Sequence, residues 1–165
     1  MKRRNFLGLL GVGGLSTLAP GLAIARPKPD LERADDIEVL ELSEAEWRER
    51  LSDEQFEILR EEGTEPAFSS PLDKETRPGE YRCAGCELLL FESDMKYDSG
   101  TGWPSFFEHV EGHLLTSVDY FLVFPRTEYH CARCGGHQGH IFEDGPEPTG
   151  LRWCNNGLAL SFSPA

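Results

Sequence analysis

The sequence predicts a mainly β domain with short helices ahead of it and two metal-binding turns within it. Three observations carry this expectation. Capped helix starts are confined to residues 43–63, short apolar runs alternate with turns from Tyr81 onward, and Cys-x-x-Cys occurs twice.

The chain has 165 residues, enough for one self-sufficient domain plus a leader. Its start, Met-Lys-Arg-Arg-Asn-Phe-Leu, precedes an apolar run from Leu7 to Ala25 broken by Gly11, Gly13, Gly14 and Pro20. With Ala23-Ile24-Ala25 before Arg26-Pro27, this reads as a cleavable signal peptide over 1–25. Arg3-Arg4 followed by Phe6-Leu7 is similar to a twin-arginine signal. Export to a periplasm or a comparable compartment follows, with membrane contact only through this signal. The alternative is an uncleaved anchor, for which the run is short and weakly apolar. Residues 26–42, with Pro27, Pro29 and mixed charge, read as a linker, and 43–165 as the functional domain.

Charge excludes more than it identifies. Lys and Arg total 16 against 29 Asp and Glu, a formal charge of −13. The first 25 residues hold three of the basic side chains and no acidic one, so without them the charge is −16. Such a surface repels phosphate backbones, and no nucleic acid is expected as a partner.

Ser43-Glu-Ala-Glu46 and Ser52-Asp-Glu-Gln55 are capping boxes, in which the serine hydroxyl and the acid or amide three residues on satisfy free backbone N–H groups reciprocally. Trp47 and Leu51 share a face of the first helix. In the second, Phe56 pairs with Arg60 and Gln55 with Leu59, and Gly63 offers a stop. Further on, the apolar runs Leu88–Phe91, Leu114–Ser117, Tyr120–Phe124 and Leu158–Phe162 are separated by turns such as 98–102 and Asp144-Gly-Pro146.

The five cysteines divide into four and one. Cys83-Ala-Gly-Cys86 and Cys131-Ala-Arg-Cys134 lie 44 residues apart, and two such turns can close a tetrahedral zinc site with no open position. Two disulfides, or a thioredoxin-like redox pair, are the alternatives; the Gly-rich flank Cys134-Gly-Gly-His137 suits the latter poorly. Cys154 has no partner by spacing. It reads as an inert thiol, a dimer bridge or a nucleophile, and its neighbours favour the last. Arg152 and Asn156 fall on its face of a strand, where a guanidinium favours the thiolate, and His137-Gln-Gly-His140 lies upstream.

The stretches Tyr81-Arg-Cys-Ala-Gly-Cys86, Asp98-Ser-Gly-Thr-Gly-Trp-Pro-Ser-Phe106, Arg133-Cys-Gly-Gly-His-Gln-Gly-His140, Gly145-Pro-Glu-Pro-Thr-Gly150 and Arg152-Trp-Cys-Asn-Asn156 resemble methionine sulfoxide reductase of the B type, from about Glu44 to Phe162. The resemblance implies two antiparallel sheets leaning together. It also implies one structural zinc on Cys83, Cys86, Cys131 and Cys134, Cys154 as nucleophile, and His137, His140, Arg152 and Asn156 around it. Trp103 is the residue expected to pack on the substrate's methyl group. The implied partners are oxidised proteins carrying methionine R-sulfoxide and a thioredoxin-like or other thiol reductant, and the chain is expected to be a monomer.

Two departures stand out. Thr101 occupies the place where many relatives carry a resolving cysteine, so direct reduction of oxidised Cys154 is expected. Asn155 and Gly157 replace the more usual aliphatic residue and serine.

In the expected chemistry His140, assisted by His137, is the acid at the sulfoxide oxygen, and Cys154 attacks sulfur to become a sulfenic acid. His109, His113 and His130 are expected to be surface or packing residues, and Asp144 a turn former. The rival readings are a non-catalytic zinc-ribbon binding module, which leaves Cys154 idle, and a disulfide-exchange protein using the Cys-x-x-Cys pairs.

Overall fold

The computed structural model of the chain describes residues 31–120 and 124–165. The expected leader, the first part of the expected linker, and the middle of the run Tyr120–Phe124 lie outside the described residues. Among those residues, no helix is long and apolar enough to cross a membrane.

Both helices begin where their capping boxes stand. Helix α1 spans Glu44–Arg50 with Ser43 and Glu46 bonded reciprocally, and α2 spans Asp53–Glu61 with Ser52 and Gln55 doing the same. Each cap contributes about 1 kcal/mol, enough to fix the start of so short a helix. The left-handed residue that ends α2 is Glu62, one before the expected Gly63. Trp47, Leu51, Phe56, Ile58 and Leu59 are buried, so both helices lay their apolar faces on the sheets. Residues 31–42 contain no helix or strand, yet they are not the free tether that their composition suggests. Ala34 N–H donates to Gly112 O, Leu40 N–H to Arg133 O and Arg33 Nε to Ala132 O, while Leu31, Leu40 and Leu42 pack against the core.

Among the described residues nine strands follow: β1 (Gly79–Cys83), β2 (Leu89–Glu92), β3 (Lys96–Tyr97), β4 (Ser105–Phe106), β5 (Leu114–Asp119), β6 (Arg126–Cys131), β7 (His137–Phe142), β8 (Arg152–Asn155) and β9 (Leu160–Pro164). All pairings are antiparallel. One sheet has the order β2-β1-β9, the other β3-β4-β8-β7-β6-β5. Aromatic rings join them. Phe91 of β2 stacks on Phe106 of β4 with centroids 4.0 Å apart, and Tyr81 of β1 meets the same ring edge-on at 5.0 Å. Tyr129 of β6 sits edge-on to Trp153 of β8 at 5.0 Å. This is the mainly β, two-sheet architecture with short helices that was expected. The run Leu158–Phe162 is split, with a 3₁₀ turn at Gly157–Ala159 before β9 begins.

Candidate active site

Cys154 lies on β8, an inner strand of the larger sheet, between β4 and β7. Its direct partners across the two ladders are Ser105 and His140. Opposed residues on antiparallel strands project to the same face, with Cβ atoms about 5 Å apart, so this register puts the thiol and the imidazole side by side. The close approach has a sequence requirement. A Cβ on Gly139 would run into the Cys154 carbonyl, so only glycine lets β7 pass here.

A cavity of about 130 Å³ opens at this point, lined among others by Trp103, His140, Cys154 and Asn156. Cys154 is half-buried. Burial raises its thiol above the usual cysteine value, and the charge and hydrogen bond of Arg152 only partly offset this. The guanidinium is beside the sulfur, but desolvation acts against the thiolate more strongly than Arg152 favours it. Arg152 also has another partner. Its Nε and Nη2 donate to the two oxygens of Asp144 at 2.8 and 3.0 Å, and its guanidinium lies 4.3 Å from the Phe142 ring centroid. Asp144 is thus more than a turn former.

The two histidines occupy different environments. His140 borders the cavity, with Nε2 2.8 Å from Asp119 Oδ2, an oxygen that also accepts from Arg126 Nη2 at 2.5 Å. Burial lowers its basicity against the opposing hydrogen bond to Asp119, and so favours the neutral ring. His137 is buried away from the cavity lining. Its Nδ1 is 2.8 Å from Glu128 Oε1, and its Nε2 has no hydrogen-bond partner among the described residues. The ring centroids of the two histidines are 5.5 Å apart. Burial acts to raise the Glu128 carboxyl, but hydrogen bonds from His130, His137 and Ser117 hold it well below the usual carboxylate range. His130 is therefore part of the polar layer beneath the site, whereas His109 packs on Trp153 and His113 bonds Leu89 O.

Asn156 lines the cavity, but its amide is committed to backbone: Nδ2 donates to Gln138 O at 3.1 Å, and Oδ1 accepts from Glu65 N–H at 3.1 Å. Trp103 donates its indole N–H to Glu65 O at 3.0 Å. Of the two departures, Asn155 is buried and accepts from Tyr129 Oη at 2.7 Å, a use that an aliphatic residue could not serve. Gly157 faces Ser70, whose hydroxyl occupies the space a Cβ would need. Thr101 shares a hydroxyl cluster with Ser99, and Ser99 in turn bonds Ser105.

Cys83, Cys86, Cys131 and Cys134 are all buried, with their sulfurs within 4.8 Å of one another. Cys83 and Cys134 approach to 3.7 Å and Cys86 and Cys131 to 3.5 Å. These separations are far too long for S–S bonds of about 2.05 Å. They match the edge of a tetrahedron, roughly 3.8 Å, around a metal with bonds of about 2.3 Å to sulfur. The disulfide alternative has no support in this geometry.

The sequence reading did not identify Asp119, Arg126, Glu128 and Glu65 as parts of the site. The first three sit at opposed positions of one hairpin, with Asp119 facing Arg126 and Ser117 facing Glu128, but nothing in their local pattern shows that a third strand brings histidines to them.

The SelR domain matches residues 51–164. Similar proteins include the peptide methionine sulfoxide reductase MsrB of Agrobacterium fabrum, 53% identical over 74% of this chain and 91% of its own. The MsrB of Bradyrhizobium diazoefficiens is 47% identical over 82% of this chain and 99% of its own. The chloroplastic peptide methionine sulfoxide reductase B1 of Arabidopsis thaliana is 44% identical over 90% of this chain and 75% of its own. These matches cover both sheets, the four-cysteine cluster and the cavity around Cys154, and by them the chain belongs to the SelR-domain family of peptide methionine sulfoxide reductases of the B type.

Proposed function

We propose that Cys154 is the nucleophile through which this peptide-methionine (R)-S-oxide reductase returns methionine R-sulfoxide in proteins to methionine. The observation that carries the proposal is the register of β7 on β8, which sets His140 directly across from Cys154 at the wall of one cavity. A non-catalytic zinc ribbon would have no use for that arrangement.

The sulfoxide sulfur becomes electrophilic only when its oxygen is protonated or strongly hydrogen-bonded. Cys154 begins as a thiol, so it carries the proton that the oxygen needs. His140 takes this proton as the sulfur attacks and delivers it to oxygen, with Asp119 orienting the ring. The Cys154 sulfur bonds the substrate sulfur, and the protonated oxygen then passes to the Cys154 sulfur as the transient S–S bond and the substrate's S–O bond break. Methionine sulfur is reduced by two electrons, and Cys154 is oxidised by two to a sulfenic acid. His137, fixed by Glu128, supports His140 from below. Arg152 stabilises negative charge on the Cys154 sulfur, and Trp103 offers its ring to the substrate methyl group.

With Thr101 near the nucleophile rather than a cysteine, recycling is intermolecular. Two thiols of a thioredoxin-like or other reductant convert the sulfenic acid to thiol and water and leave as a disulfide. Zn²⁺ is the proposed ion for the four-cysteine cluster, where it would hold the turns of β1 and β6 together and take no part in the reaction. The basic start and apolar run of residues 1–25 support export, and a monomer suffices because every proposed site residue comes from one chain. Turnover of the R and S sulfoxides of a capped methionine with a dithiol reductant tests the reading: the R form alone should be reduced, and turnover of neither would refute it.

A further inference from the structure

We infer that Glu65 is a positioning residue for this reaction, tying the wall that receives the substrate's methyl group to the turn that follows the nucleophile. The inference rests on the proposed roles of Cys154 and Trp103. Glu65 belongs to a stretch without helix or strand, between α2 and the 3₁₀ turn at Pro71–Lys74, so hydrogen bonds rather than a ladder must fix its place. It is nevertheless buried. Three separate groups of this one residue are used, and each reaches the same site.

Its carboxylate accepts from Gly157 N–H at 2.6 Å and from Leu158 N–H at 3.0 Å. Those amides are the third and fourth after Cys154, at the start of the 3₁₀ turn that redirects the chain from β8 into β9. Its own N–H donates to Asn156 Oδ1 at 3.1 Å. Its carbonyl accepts the Trp103 indole N–H at 3.0 Å. Trp103 itself stands in the loop between β3 and β4, so the carbonyl of Glu65 is what joins its ring edge to the nucleophile's own strand end. Gly157 fits the same junction, because a side chain there would collide with Ser70 and crowd the Glu65 carboxylate.

A buried carboxylate that accepts two backbone amides cannot be lost quietly. In Glu65→Gln one of the two N–H groups meets an amide NH2 instead of an acceptor, and in Glu65→Asp the shorter side chain cannot reach both, so the irregular backbone from Thr64 to Pro66 is loosened from the turn. Thr64 and Trp103 both line the cavity, so its alkyl-receiving side loosens while Cys154, His140 and the metal cluster keep their own supports. The expected signature is therefore in binding and in alkyl discrimination rather than in the chemical step.

The test compares Glu65→Gln and Glu65→Asp with the intact chain, using R sulfoxides of capped methionine and of capped ethionine, its S-ethyl homologue. A shaped pocket discriminates one methylene by roughly 10- to 200-fold. The intact chain should favour the methyl substrate within that range. In both variants that preference should collapse toward parity, with KM for the methyl substrate raised about tenfold and kcat changed much less. Metal content and the rate of Cys154 alkylation should stay unchanged, which reports that the fold and nucleophile persist. If either variant keeps the full preference and KM, or loses activity only in proportion to its unfolded fraction, Glu65 is not a positioning residue. If the intact chain reduces neither substrate, the reductase reading fails first and this inference with it.

Discussion

Arg152 spends its guanidinium on Asp144 through two parallel bonds of 2.8 and 3.0 Å while it flanks Cys154. The guanidinium is buried and the carboxylate exposed, at 8% and 61% accessibility. Asp144 therefore holds the cation in place and at the same time opposes its effect on the thiol, which burial keeps above the ordinary cysteine value.

Replacing either partner should move the thiol in opposite directions. Arg152→Ala removes the stabilising charge and should raise the Cys154 value further, cutting kcat/KM about tenfold or more. Asp144→Asn removes a repelling charge while leaving a hydrogen-bond acceptor, and should lower it. The pH dependence of Cys154 alkylation by iodoacetamide checks both, and shifts of the same sign in the two variants would contradict the assignment.

His140 and Cys154 shift apart. Burial lowers the imidazole below its ordinary 6.5 and raises the thiol above its ordinary 9.0. The active protonation state, neutral ring with thiol, then persists between the two, so kcat/KM should be flat from about pH 6.5 to 9. It should fall below that range as His140 charges. His140→Asn should reduce kcat by roughly 10²- to 10⁴-fold across the plateau. The sign for stability agrees. A histidine whose folded value is lowered stabilises fully above 6.5 and loses that contribution as pH falls through the folded value. A narrow bell with both limbs inside 6.5–9 would contradict these directions.

The four-cysteine cluster should behave as part of the fold. Cys83→Ser, or removal of the metal with a chelator, should lower the thermal midpoint by roughly 10 °C or more, because metal binding and folding are linked. Metal analysis should find one zinc per chain in the intact protein. A Cys83→Ser variant with an unchanged midpoint and full metal content would overturn the structural role.

The legible part of this molecule was the part written in short-range pattern. Both helix starts were readable because a capping box lies within four residues, and the metal turns because each needs only Cys-x-x-Cys. Cys154 stood out by having no partner. What escaped were contacts set by the register of distant strands. Asp119 and Glu128 look like ordinary surface acids until β6 and β7 pair and bring them to His140 and His137. Asn156 was expected on the face of Cys154. Its amide is consumed by Glu65 and Gln138, residues 91 and 18 positions away. The balance at Cys154 was half legible for a related reason: a neighbouring arginine is visible in sequence, whereas the desolvation that opposes it depends on the whole sheet.

The most direct measurement is a single turnover without any reductant, on the intact chain and on Cys154→Ser, with the R sulfoxide of a capped methionine. The intact chain should release one methionine per molecule and gain one oxygen atom at Cys154, trapped as a sulfenic acid by dimedone, while the variant releases none and retains its zinc. Methionine release by Cys154→Ser, or oxygen recovered on any other cysteine, would contradict the account.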